Sequence, residues 1–360
     1  MRILPVFSVL LALVVSVPTG EPAKVAPILE RLKREVADAP LALRYKGDSA
    51  DDCRTWQKEF AAKLKSLLGP HAPPTTWKAT VQSVKELDDH RREHLLLEAD
   101  GHPPLPIYLL TPKNAKGKRP AILALHGHGA HGHHPVAGRD DLPGVANAIK
   151  NNNYDYGRQL VRQGYVVAVP CLTPFGDRLG KSAKADLCGD TFIRMQMLGK
   201  TLIGENLRDC LWAVEFLARQ PNVDAERLGC VGLSYGGRMT MMTAAIEPRI
   251  KVCVISGALN AMQERVSNPY GCGAQIIPGL LLYGDVPEIA SLIAPRVCVW
   301  EVGSQDKLID PLWADEILRR QRRSYKSVNA VGNLMIDRVE GGHVWNGKSA
   351  SVVLAEHLRP

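Results

Sequence analysis

The sequence predicts an α/β fold: a mostly parallel sheet with helices on both faces, preceded by an N-terminal helical extension. Three observations predict it. From Ala121 to Leu358 short continuous apolar runs alternate with longer stretches of helical periodicity. One junction, Leu228-Gly-Cys-Val-Gly-Leu-Ser-Tyr-Gly-Gly237, reads as a buried strand, a tight turn and the start of a helix. Polar residues with chemical potential follow directly on apolar runs, at the carboxyl ends of predicted strands, where open α/β sheets place their sites.

In order, residues Val25 to Val36 and Asp51 to Leu68 predict two N-terminal helices. The second puts Trp56, Phe60, Leu64 and Leu67 on one face and stops at Gly69-Pro70. Val81 to Leu87, His94 to Glu98 and Ile107 to Leu110 alternate or run apolar, with Gly101 and prolines between, and predict antiparallel edge strands. A basic loop, Thr111 to Pro120, leads into the alternation. Strands are expected at Ala121 to Leu125, Tyr165 to Val169, Arg227 to Val231, Ile250 to Ile255, Arg296 to Val302 and Leu334 to Val339. Helices are expected at Tyr154 to Gln163, Glu205 to Gln220, Arg238 to Ile246, Leu312 to Tyr325 and Ser349 to Leu358. Two irregular regions, Gly129 to Asn153 and Ala258 to Pro295, are where substrate walls would lie.

The bulk numbers fit a globular protein: 360 residues, 45% hydrophobic and 23% charged. The net charge of +8 is spread along the chain without a basic stripe, so it reads as a surface property and nucleic acid is not an expected partner. Residues 1–23 have the grammar of a secretory signal peptide: Arg2, an apolar run from Ile3 to Val17, then Pro18-Thr-Gly20. The run is short for a membrane span. The expected organisation is a signal peptide over 1–23, a helical extension over 24–76 and a catalytic domain over 77–360, in a secreted or periplasmic protein without stable membrane insertion. Of eight cysteines, Cys210, Cys230, Cys253 and Cys298 lie in apolar runs and read as buried thiols. Cys53, Cys171, Cys188 and Cys272 lie in or beside predicted loops, where an exported protein can form disulfides, with the connectivity open.

The junction holds Gly232-Leu-Ser234-Tyr-Gly236, a G-x-S-x-G nucleophile elbow. A serine that attacks a carbonyl must stand clear of the sheet on a sharp turn, and flanking glycines let strand and helix approach closely. Downstream, Asp306 follows the strand ending at Val302 and His343 follows the strand ending at Val339. The order serine, acid, histidine is that of an α/β-hydrolase triad. Ser234 is the expected nucleophile, His343 the base, and Asp306 the acid that orients it, with Asp310 as runner-up. The oxyanion hole is expected from the Tyr235 N–H and from His128 in the loop after Ala121–Leu125. That loop carries five histidines in nine residues: His126, His128, His131, His133 and His134. A metal site is one reading of it. No nearby carboxylate shares an obvious ligand spacing, so the expectation is a mobile polar loop at the mouth of the site, with no metal and no cofactor. Trp212 and Trp300 read as packing; Trp345 reads as either packing or a substrate wall.

Several pieces together resemble α/β-hydrolases of the dienelactone hydrolase and acetyl xylan esterase type: Leu125-His-Gly-His-Gly129, Phe175-Gly-Asp-Arg178, Leu202-Ile-Gly-Glu-Asn-Leu-Arg-Asp209, the elbow itself, Ile293-Ala-Pro-Arg296 and Gly341-Gly-His343. The resemblance runs from about Ala121 to His357. It implies a serine esterase needing no cofactor, with Ser234, Asp306 and His343 as triad. Its substrates would be small esters or an acetylated polysaccharide. The segment after Asp306 departs from the family's run, since Pro311 comes one position late. The motif Gly-x-Ser-Tyr-Gly-Gly also resembles prolyl-oligopeptidase-type peptidases, whose large propeller the preceding 120 or so residues cannot supply. A catalytically silent carbohydrate-binding protein on the same fold is the third reading.

Overall fold

The computed structural model describes residues 27–113, 117–180, 187–267 and 272–360. The expected signal peptide, residues 1–23, lies outside the described residues. Two helices open the described chain, α1 (Ile28–Ala37) and α2 (Ala50–Leu68). Ser49 starts α2 with a capping box: its hydroxyl accepts the Asp52 N–H at 3.1 Å while the Asp52 carboxylate accepts the Ser49 N–H at 3.3 Å. Strands β1 (Lys78–Glu86), β2 (His90–Glu98) and β3 (Leu105–Pro112) follow, then β4 (Arg119–Leu125). Next come α3 (Val145–Asn152), α4 (Tyr156–Arg162), β5 (Val166–Pro170), α5 (Leu187–Met197), α6 (Leu202–Ala218) and β6 (Val223–Leu233). The chain continues through α7 (Tyr235–Ile246), β7 (Ile250–Ser256), α8 (Met262–Ser267), α9 (Val286–Ser291) and β8 (Val297–Gly303). It closes with α10 (Pro311–Ser327), β9 (Leu334–Val339) and α11 (Lys348–Leu358).

One nine-stranded sheet takes them in the order β1-β2-β3-β5-β4-β6-β7-β8-β9. The β1, β2, β3 meander is antiparallel and meets β5 antiparallel; from β5 through β4 to β9 every pairing is parallel. The parallel half is buried on both faces because its side chains alternate between two cores. On β4, Ala121, Leu123 and Leu125 face one apolar cluster and Ile122 and Ala124 the other. The first cluster takes in α6, α7, α9 and α10, the second α4 and α11.

The N-terminal segment is less separable than an accessory extension. Cys53, Trp56, Phe60, Leu64 and Leu68 of α2 are buried in the first, larger cluster. Leu67, expected on that face, is only partly buried, and Leu68 takes its place. All eight cysteines are buried free thiols, including the four expected near loops. Cys53, expected beside a loop, lies inside α2. Trp345 is 2% exposed and packs on Tyr156, so it belongs to the core. The two irregular regions are not wholly irregular: they hold α3, α8 and α9.

Candidate active site

Strand β6 delivers Ser234 at its carboxyl end with φ 63 and ψ −120, a conformation that costs a non-glycine residue on the order of 1–3 kcal/mol. The turn is held from both sides: the Ser234 N–H donates to the Ser256 carbonyl at 2.9 Å, and the Ser234 carbonyl accepts the Arg238 N–H at 3.0 Å. Gly236 is obligatory, because a Cβ there would lie 1.8 Å from the Leu125 carbonyl oxygen. The turn thus wedges the start of α7 against β4, and that α7 terminus points its free N–H groups at the serine.

His343 stands in the loop after β9. Its Nδ1 lies 2.7 Å from Asp306 Oδ2, in the loop after β8. The other Asp306 oxygen accepts the Leu308 N–H at 2.9 Å, which fixes the carboxylate. Asp310, the runner-up acid, instead caps α10, accepting the Leu312 N–H at 2.8 Å. His343 Nε2 is buried without a hydrogen-bond partner. Gly257 leaves room for the ring, since a Cβ at that position would come within 2.8 Å of His343 Cε1. Ser234 and His343 share a cavity of about 240 Å³, walled by His128, His131, Asn152 and Tyr154 among others. A larger groove of about 470 Å³, between α1, α8 and residues 275–282, is lined by neither.

The loop after β4 is organised around its glycine and histidines. The Gly127 N–H donates to the Tyr154 hydroxyl at 2.6 Å and is thereby consumed, which leaves the His128 backbone as the next donor along the loop. The Tyr235 side chain is pinned by Asn206, whose amide donates to its hydroxyl at 2.7 Å and to the Thr173 carbonyl at 2.8 Å. His126 is fully buried and accepts the Leu172 N–H on Nε2 at 2.9 Å. Burial pushes its imidazole down to about 4, so it is neutral at physiological pH. The expectation of a mobile polar loop needs correction: His126 and His133 are both 0% exposed, and the turn from His131 to Gly138 is closed by its own backbone hydrogen bonds. His128 Nε2 meets Cys272 Sγ at 2.9 Å; hydrogen bonding from Cys188 and from His128 holds that thiol below its ordinary range.

Sequence reasoning missed Glu301, on β8. It is 1% exposed, and its carboxyl accepts the Ser256 hydroxyl at 2.7 Å, the Asn346 N–H at 3.0 Å and the Gly347 N–H at 2.8 Å. Burial raises its carboxyl above the ordinary value, against those donors. It joins the strand beside the elbow to the loop that carries His343. The signal was available: Val297-Cys-Val-Trp-Glu-Val302 is an apolar run with one carboxylate, and a buried carboxylate needs partners.

Comparison with known proteins agrees with the fold. Residues 195–261, which span α6 to the loop after β7, match the Prolyl oligopeptidase family. "Putative hydrolase YtaP" of Bacillus subtilis is 31% identical over 288 residues, covering 79% of this chain and 93% of that protein. Among solved structures, a protein of Bacteroides fragilis described as a putative acetyl xylan esterase superposes with a TM-score of 0.74 at 17% identity, covering 89% of this chain and 84% of that one. A glucuronoyl esterase from Teredinibacter turnerae superposes with a TM-score of 0.64 at 20% identity, over 89% and 90% of the two chains. The sheet order, the strained serine between β6 and α7, and a 31% identity that spans nearly all of the bacterial hydrolase lead to one conclusion: the chain belongs to the α/β-hydrolase family of that B. subtilis protein.

Proposed function

We propose that this protein is a secreted serine carboxylesterase that cleaves short-chain esters, acetyl esters above all, on a polysaccharide or a small ester. The observation that carries the reading is the pairing of Asp306 with His343 Nδ1 at 2.7 Å, with an unpartnered Nε2 in the cavity that also holds Ser234. In the reading, His343 Nε2 takes the Ser234 Oγ proton as Oγ attacks the ester carbonyl carbon. Asp306 holds the ring and stabilises its cation. The carbonyl oxygen becomes an oxyanion, met by the N–H groups of Tyr235 and His128. Collapse breaks the bond to the alcohol oxygen, which takes the proton back from His343. Water, activated by the same histidine, then frees the acid from Ser234.

The narrow cavity favours a small acyl group. The names of the structural neighbours, acetyl xylan and glucuronoyl esterases, point toward polysaccharide esters. Secretion rests on the signal-peptide grammar of residues 1–23, and the absence of any helix long and apolar enough to cross a membrane among the described residues is compatible with it. A second reading, a peptidase, is favoured by the Prolyl oligopeptidase match over residues 195–261. Hydrolysis of 4-nitrophenyl acetate by the protein beside its Ser234→Ala variant tests the first reading. Turnover that falls on the order of 10⁴-fold in the variant supports it. Absent ester turnover with cleavage of peptide amides transfers the assignment to the peptidase reading.

A further inference from the structure

Behind the wall of the cavity, three histidines converge on one carboxylate. His94 comes from β2, His133 and His134 from the loop after β4, and Asp177 from a single 3₁₀ turn, Gly176–Arg178, after β5. His94 Nε2 lies 3.1 Å and His133 Nε2 3.4 Å from Asp177 Oδ2; His134 Nε2 lies 3.1 Å from Oδ1. Although the distances are short, the His94 and His133 nitrogens have no hydrogen-bond partner of acceptable geometry. His133 is the telling residue. Its side chain is 0% exposed, and neither ring nitrogen has a partner. A fully buried imidazole with two idle nitrogens is costly unless something else uses its lone pair.

A metal ion would use it. Tetrahedral zinc bound at ~2.0–2.1 Å holds its ligand atoms about 3.3–3.4 Å from one another, with no hydrogen bonds between them. The ligand atoms of His94, His133 and Asp177 already lie within 4.8 Å of one another. His134 faces the remaining carboxylate oxygen, Oδ1, and holds the carboxylate from its other side, so the group offers three protein ligands. We propose that His94, His133 and Asp177 form a binding site for a divalent transition metal of the zinc class, with His134 positioning the carboxylate. Imidazole nitrogens with one carboxylate suit that class and not calcium or magnesium.

The surroundings have the character of a supporting shell. Tyr108 stacks on the His94 ring with centroids 4.5 Å apart, and its hydroxyl meets His134 Nδ1 at 3.1 Å while accepting Arg139 Nη1 at 2.6 Å. Arg178, next to Asp177, is anchored to the buried Asp209. The Asp177 side chain is 31% exposed, which gives an ion its way in. Three protein ligands leave the fourth position to water, and the site staples the loop that carries the His128 N–H to β2 and to the turn after β5. The inference stands on these residues alone and does not depend on the esterase reading.

The test uses the full chain, stripped with a chelator, loaded with Zn²⁺ and dialysed, with zinc measured per chain by elemental analysis. Wild type and Cys272→Ser should hold about one zinc each, and His133→Gln and Asp177→Asn less than about a tenth. Zn²⁺ should raise the melting temperature of the first two and leave the other two unmoved. The Cys272→Ser variant matters because His128, Cys188 and Cys272 form a second group of possible ligands. Zinc absent from wild type, zinc retained by His133→Gln and Asp177→Asn, or zinc lost from Cys272→Ser each overturns the proposal. Should the two site variants fail to fold, wild type loaded with Co²⁺ decides. Visible bands of four-coordinate cobalt without thiolate charge transfer support the site; thiolate charge transfer or no bands overturn it.

Discussion

Glu301→Gln is the most informative substitution. The glutamate gathers three donors, Ser256 Oγ and the backbone N–H groups of Asn346 and Gly347, at 2.7, 3.0 and 2.8 Å. Oε1 serves Ser256 and Asn346, while Oε2 serves Gly347. Glutamine keeps the volume and one acceptor oxygen but must turn its NH₂ toward one of the two sides. If the oxygen stays with Ser256 and Asn346, the Gly347 N–H faces a donor. One buried hydrogen bond is lost and one donor is left unsatisfied, a cost of about 1–3 kcal/mol. For a chain of this size that is a fall in Tm of roughly 3 °C. The functional consequence runs through the loop: Asn346 and Gly347 follow His343 closely, so loosening them loosens the imidazole. Thermal melting and steady-state kinetics on 4-nitrophenyl acetate read the two effects separately. The expected outcome is kcat reduced about 3- to 30-fold with KM within about twofold, since a misplaced base affects the transition state and not ground-state binding. A variant with the lowered Tm and unchanged kcat refutes the positioning role and leaves Glu301 a purely structural residue.

Three further outcomes are expected. Asp306→Asn should lower kcat on the order of 10³- to 10⁴-fold, and Asp310→Asn, which disturbs only the α10 cap, less than about threefold; the reverse order in the same assay reassigns the acid. His126 titrates at about 4 when folded and near 6.5 when unfolded, so its contribution to stability is complete above pH 6.5 and is lost as the pH falls toward 4. That loss is roughly 3 kcal/mol, and urea unfolding of wild type against His126→Asn across this window should show a shallower slope in the variant, where His90 and His133, also lowered by burial, still contribute. Phe60→Ala should cost about 3–5 kcal/mol in urea unfolding, because this α2 residue is 1% exposed and stacked on Trp56; a cost below about 1 kcal/mol would make α2 a detachable wrapper.

Much of this arrangement was legible in the sequence, for reasons that differ by element. The parallel strands announce themselves because both faces are buried, so Val166–Pro170 and, within β7, residues 252–255 are apolar without interruption. The three antiparallel strands were legible from alternation and turn residues. Their place in the sheet was not: β3 lies beside β5 and β4 beside β6, and nothing local encodes that order. Strand β6 begins at Val223, earlier than its apolar core, because Asp224, Ala225 and Glu226 extend it at a partly exposed end of the sheet where polarity conceals a strand. The serine and histidine were marked by glycines. The proposed acid was legible as Asp306 with Asp310 as runner-up, and what distinguishes them in the structure is that Asp306 meets His343 while Asp310 is spent on its own helix. Glu301, Tyr154 and the convergence of His94 with Asp177 escaped because each acts across the fold, on partners distant in the chain.

The strained serine has a consequence for how such a chain drifts. At φ 63 and ψ −120 a glycine is at ease and a serine is not, so the folding equilibrium by itself favours Ser234→Gly. Under the proposed function, selection for turnover is what opposes it. A lineage that ceases to need the chemistry should therefore lose this residue early, and gain stability in losing it, while the sheet, the neighbouring glycines and the buried histidines persist. If Ser234 is the nucleophile proposed, the side chain at position 234 is a record of use in a chain that would fold better without it.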